Sequence, residues 1–141
     1  MNVPSDPSRA LAERWFRKAE NDLLNVANNL RAERYASDTV CFHCQQAAEK
    51  YLKGFLSWHG VPFARTHDLP ELLKQVKQIA GDDARAISEH LFLLDPCSVS
   101  VRYSQEYEEE PDEQEVQEAV RSAYAVRVWV RSRLGLEERD A

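Results

Sequence analysis

The sequence predicts an all-α protein, an antiparallel up-and-down bundle of four to five helices. Three observations predict it. Apolar residues recur at three- and four-residue steps over most of the chain. The four glycines and six prolines cluster at a few points, as they do between helices joined by short connections. No stretch alternates apolar and polar residues in the manner of a half-buried strand.

The elements follow in order. Residues 1–8, with Pro4 and Pro7, read as a disordered start, and Ser8 is a candidate cap for the first helix. Leu11, Trp15, Ala19, Leu23, Ala27 and Leu30 form its stripe, widened by Phe16 and Val26, and it is expected to end near Arg34. Ser37 or Asp38 caps a second helix with Val40, Cys44, Ala47, Ala48, Tyr51, Leu52 and Phe55 inward. It stops near His59-Gly60, with Pro62 just beyond. Asp68 or Thr66 caps a short third helix carrying Leu69, Leu72, Leu73, Val76 and Ile79. Pro70 falls in its first turn, where proline is tolerated, and Gly81 ends it. A fourth helix runs from about Asp83 to Leu94, with Ile87, Leu91 and Leu94 inward, and Pro96 stops it. Residues 96–111 carry the acidic run "EYEEEP" and read as a long loop. A last helix starts near Pro111-Asp112 and reaches Leu134, with Val116, Ala119, Val120, Ala123, Val126 or Arg127, and Val130 on its stripe. The chain has no repeat, so residues 9–135 are expected to be one domain and 136–141 a tail.

Composition narrows the function. The 141 residues suffice to bury a core without disulfides or metal. Charged residues make up 30% and hydrophobic residues 43%, as in a soluble globular protein. A net charge of −6 argues against binding nucleic acid by bulk charge alone, though not against a local basic groove. The apolar runs are too short to span a membrane, and the N-terminus has no signal-peptide pattern. Three cysteines, an odd number, fit a reduced, cytoplasmic setting.

Cys41, His43 and Cys44 look like a metal knuckle, but helical geometry weakens it. The two thiols lie about 60° apart, while His43 points about 160° from Cys41. A structural zinc takes four ligands, and the only other cysteine is Cys97. The two thiols read instead as core or dimer-contact residues, with no metal and no cofactor.

Four other groups have a structural and a functional reading. Lys50 and Lys53 share one flank of the second helix, with Glu49 at i,i+4 spacing from Lys53. They form either a solvated face with an ion pair or a phosphate contact. "RTHD", Arg65 to Asp68, lies at a helix N-terminus, which favours anions. Its plainer reading is two caps, Thr66 and Asp68, beside a buried, hydrogen-bonding His67. Arg102 and Tyr103 either hold a phosphate or stack on a base, or tie the loop to its own acids. Trp58, Trp129 and Tyr124 would need a partner to cover them if the bundle left them exposed.

The blocks "AERWFRKAENDLLNVANNL", "CFHCQQAAEKYLKGFL", "RTHDLPELL" and "VRYS", in this order, resemble the HEPN domain (higher eukaryotes and prokaryotes nucleotide-binding). The same domain ends the eukaryotic chaperone sacsin. The resemblance runs from about residue 11 to 134, and "QQAAEKYLKG" is its most specific piece. It implies an up-and-down bundle with a long second helix, usually a homodimer. The family includes metal-independent ribonucleases, many of them in toxin–antitoxin and defence systems. These carry an arginine, four to six residues and then a histidine just before the last helix. Others are nucleotide-binding or non-catalytic and are often encoded beside a minimal nucleotidyltransferase.

By position the matching arginine is Arg102, but no histidine follows it; Tyr107 stands where one would be. A literal match, "RAISEH", joins Arg85 to His90 in the fourth helix, ahead of the expected loop. About one such match is expected by chance in a chain of this composition. Residues five apart on a helix also point about 140° away from each other. The expected function is therefore a homodimeric module binding a nucleotide, a phosphate group or RNA, or a nucleotidyltransferase partner, rather than an enzyme. Its candidate ligand residues are Arg102, Tyr103, Lys50, Lys53, His67 and Arg65. The alternative is a metal-independent endoribonuclease toxin using a divergent site, Arg102 or Arg85 with His90. A general base from outside the family's motif would then be His67 or His43.

Overall fold

The computed structural model of the chain describes residues 6–63, 65–95 and 110–136. Among these residues five α-helices follow in order: α1 (Asp6–Arg31), α2 (Ser37–Trp58), α3 (Leu69–Ala80), α4 (Arg85–Leu94) and α5 (Glu113–Arg133). A 3-10 turn, Gly81–Ala84, joins α3 to α4. The described residues contain no strand, and no helix among them is long and apolar enough to cross a membrane.

The axis of the bundle is α2, 22 residues long and hence about 33 Å. Every residue from Tyr51 to Ser57 is buried. Neighbours surround this half of the helix. One side packs against antiparallel α1, another against α5, and a third against α3 and α4. The remaining edge is crossed by residues 59–63 and 65–68, a strap that leads into α3 and brings Phe63 and His67 onto α2. Tyr51, Leu52, Phe55 and Leu56 are fully buried in the core, each contributing about 1.5–3 kcal/mol of transfer free energy. The close approach of α1 depends on Gly54, where a Cβ would overlap the Phe16 ring.

Local signals set the helix ends. Gly60, at φ 70°, closes α2 in a Schellman motif. Val61 N–H donates to Leu56 O and Gly60 N–H to Ser57 O, both at 2.9 Å. Asp68 caps α3 by accepting from Glu71 N–H, with Pro70 in the first turn. Asp112 and Glu115 form a reciprocal capping box on α5. The N-cap of α2 is Ala36, not Ser37 or Asp38, and no side chain caps it. Asp38 accepts from Thr39 N–H instead.

Three expectations need correction. α1 starts at Asp6, before Ser8, and ends at Arg31, short of Arg34. Its buried face is Ala12, Phe16, Ala19, Leu23 and Val26, while Leu11 and Leu30 are each 40% exposed. The helix is rotated by about one residue from the expected stripe, because Phe16 takes the space over Gly54 and Trp15 turns toward the strap. The expected fourth helix is split, the 3-10 turn preceding a shorter α4.

Both Cys41 and Cys44 are core thiols. Among the described residues, no three His, Cys, Asp or Glu gather as a metal site would require. Trp58 and Trp129 are half-buried, the first beneath the Arg9 guanidinium at 4.8 Å and the second against Phe55 at 5.3 Å. Tyr124 is 38% exposed.

Candidate functional site

The chemistry-bearing side chains collect where α2 meets α1 and the strap. Gln45, Glu49, Lys53 and Ser57 recur every four residues on α2 and form one polar stripe, all of it buried. Glu49 is 2% exposed and Lys53 7%. Burying two charges is costly unless they are paired and hydrogen-bonded. Here the Lys53 ammonium donates to Glu49 Oε2 at 3.0 Å. His67 Nδ1 lies 3.0 Å from both carboxylate oxygens, and Gln45 Nε2 donates to Oε1 at 3.4 Å. The same amide donates to His67 O at 3.3 Å and so ties the strap to the helix.

A carboxylate can only accept, so His67 carries its proton on Nδ1 and turns Nε2 outward. Its side chain is 79% exposed above a carboxylate that is almost wholly covered. The expected solvated Glu49–Lys53 pair is therefore a buried pair. The expected buried histidine is the exposed member of the group.

A second cluster of the same composition lies one turn nearer the start of α2. Asp22 of α1 is 7% exposed. It accepts from Lys50 Nζ at 2.6 Å and faces His43 Nδ1 at 2.8 Å. His43 and Lys50 stand seven residues apart on α2, hence on one face. Both clusters place a covered carboxylate beneath a histidine and a lysine.

Aromatic rings complete the strap side. Trp15 and Phe63 meet edge to face at 5.6 Å. Lys53 Nζ lies 5.4 Å from the Trp15 ring centre and 5.6 Å from that of Phe63, within cation–π range of both.

The N-terminus of α3 is already engaged. Asp68 accepts from Glu71 N–H, and Asp95 accepts from Leu69 N–H. Burial, followed by the nearby Asp68 charge, pushes the Asp95 carboxyl above its usual range. These two side chains take the N–H groups that the sequence suggested for an anion. Arg65 is exposed on the strap.

Arg85 and His90 do not come together. Arg85 is exposed, whereas His90 Nδ1 pairs with Ser122 Oγ of α5 at 3.0 Å, a serine that is 2% exposed. Arg102 and Tyr103 lie outside the described residues, as does Tyr107.

Sequence reasoning missed Asp22, Gln45 and Trp15 as parts of this region. A signal existed for Asp22, which follows Ala19 by three residues and precedes Val26 by four. It thus sits on the edge of the buried face of α1.

A family model described as HEPN domain matches residues 12–133. No significant match was found among curated proteins or solved structures.

Proposed function

The chain belongs to the HEPN family, and from that premise we propose that it is a binding module for a phosphate-bearing ligand, a nucleotide or RNA, on the strap-side edge of α2. What carries the reading is the disposition of charge at this edge. The acids Asp22 and Glu49 lie covered beneath the groups they hold. Lys50, His43, His67 and Arg65 are turned to the more accessible side. Such an edge presents donors and cations to a ligand and withholds its carboxylates. Arg102 and Tyr103 join the site in this proposal.

The module works as a cytoplasmic homodimer beside a minimal nucleotidyltransferase. Support for self-association comes from apolar residues left uncovered on α1 and α5: Leu24, Leu30, Tyr124 and Val128. A groove of about 480 Å³ near Leu30, Tyr35, Val116 and Val120 adds to them. Sedimentation of the purified chain tests this, and a monomer at all concentrations removes the dimer.

Titration calorimetry with ATP, GTP and short RNA tests the ligand. Binding that weakens in Arg65→Ala and Arg102→Ala is expected, and no binding of any of the three refutes the reading. A second reading, a metal-independent endoribonuclease toxin, draws on one observation. His67 stands on a carboxylate with Nε2 outward, the arrangement of a general base. Cleavage of total tRNA by wild type, lost in His67→Ala, His90→Ala or Arg102→Ala, would establish it. Absence of cleavage by the wild type retires it.

A further inference from the structure

Two hydrogen-bonding groups on the strap-side seam stand without a partner among the described residues. Trp15 Nε1 and Ser57 Oγ are both buried, and neither has a hydrogen-bond partner among the described residues. Ser57 itself is only 4% exposed. A buried donor without an acceptor costs about 1–3 kcal/mol, so a pair of them on one seam calls for an explanation.

Helix register puts the two groups beside Lys53. The ring of Trp15 lies 5.4 Å from Lys53 Nζ, and Ser57 follows Lys53 by one turn of α2. Lys53 carries three N–H donors, one of which is directed to Glu49 Oε2. A second cation, Lys18, stands 5.5 Å from the Trp15 ring. The carboxylate beside these donors, Glu49, is already engaged by Lys53, Gln45 and His67.

We infer that Trp15 Nε1, Ser57 Oγ and Lys53 Nζ form a subsite for a tetrahedral oxyanion, the phosphoryl group of the ligand, with Lys18 supplying outer charge. This deepens the proposed phosphate-binding reading and rests on it for the ligand class. A phosphoryl group offers acceptor oxygens in several directions, matching donors that come from two helices. A planar carboxylate offers two, in one plane.

Titration calorimetry of the full chain with inorganic phosphate, against acetate at matched ionic strength, tests the subsite. Phosphate is expected to bind and acetate to bind at least tenfold more weakly. Trp15→Phe keeps the ring and removes one donor, and Ser57→Ala removes the other. Each is expected to weaken phosphate binding about tenfold, the effect of one lost hydrogen bond to a charged group. Without phosphate, Ser57→Ala does not lower the melting temperature, since it removes a hydroxyl that has no partner among the described residues. Equal binding of acetate overturns the inference, as does phosphate binding unchanged in both variants, or no phosphate binding by the wild type. Nucleotide binding that survives both substitutions sinks this subsite and leaves the broader reading standing. Phosphate binding without nucleotide or RNA binding does the reverse.

Discussion

Two edges of α2 carry buried polar groups, and they are built differently. On the α5 edge, Glu20 of α1 accepts from the Tyr51 phenol and from Arg127 Nε of α5, the latter at 2.7 Å. Three helices are pinned at one carboxylate. Tyr51 is fully buried, stacked on Phe16 at 5.4 Å, and its hydroxyl has its acceptor. On the strap edge, Glu49 and Lys53 are covered by the strap and by Trp15 of α1, and two groups beside them have no partner among the described residues. On the first edge the phenol, the carboxylate and the Arg127 guanidinium are paired with one another across three helices, and they serve the fold. The second retains those two groups, and its imidazole faces water. Where polar groups are satisfied within the chain they stabilise it; where they are not, they are available to something else.

The contrast can be broken most forcefully at Glu49. Glu49→Ala leaves the Lys53 ammonium buried without its carboxylate, and a loss of about 3–5 kcal/mol is expected in urea denaturation. The double change Glu49→Leu, Lys53→Met should restore most of that stability, because it removes both charges and keeps the volume. A single change as mild as the double one would mean that the strap opens to water at no cost, and the burial described above would not hold in solution.

Tyr51→Phe probes the other edge and should cost less, about 1 kcal/mol, since it deletes one hydrogen bond and leaves Glu20 with Arg127. A larger loss than that of Glu49→Ala would reverse the ranking of the two edges.

The edges also differ in their response to pH. Burial, then the neighbouring Glu20 carboxylate, raises the Tyr51 phenol well above its ordinary value of 10.0. The folded state thus holds that proton where the unfolded chain releases it. The stabilisation is complete below pH 10 and is lost as the pH climbs above it. Tyr51→Phe should flatten this alkaline loss in denaturation curves taken across that range.

The smallest effect is expected at the start of the strap. There, burial and then the Arg133 charge lower His59 below its ordinary 6.5. The unfolded chain binds the proton first as the pH falls. Stability is therefore full above pH 6.5 and declines as the pH drops through that value toward the lowered one. His59→Gln should remove that slope, and an unchanged slope would assign the acid sensitivity to another group.

Much of the fold was legible in the sequence. Asp68, Asp112, Gly60 and the helical stripes of α2 to α5 act through hydrogen bonds and dihedral angles within a few residues of each other. A reader of the chain has all the parties to those interactions in one window. The Lys50 and Lys53 candidates were also visible, as was the Glu49 spacing.

The tertiary structure decided what those residues mean. Asp22 meets Lys50 across 28 residues and His43 across 21, and Arg127 meets Glu20 across 107. No local pattern encodes such meetings; they depend on which face of α1 turns inward. The rotation that places Phe16 over Gly54 exposes Leu11 and Leu30 and sends Trp15 to the strap. Burial of the Glu49–Lys53 pair likewise follows from the strap turning back across α2 and from Trp15 of α1. The sequence by itself determined the helices, because helix formation is local. Packing alone determined which charges are covered and which are offered, because burial is a property of neighbours that the chain brings from far away.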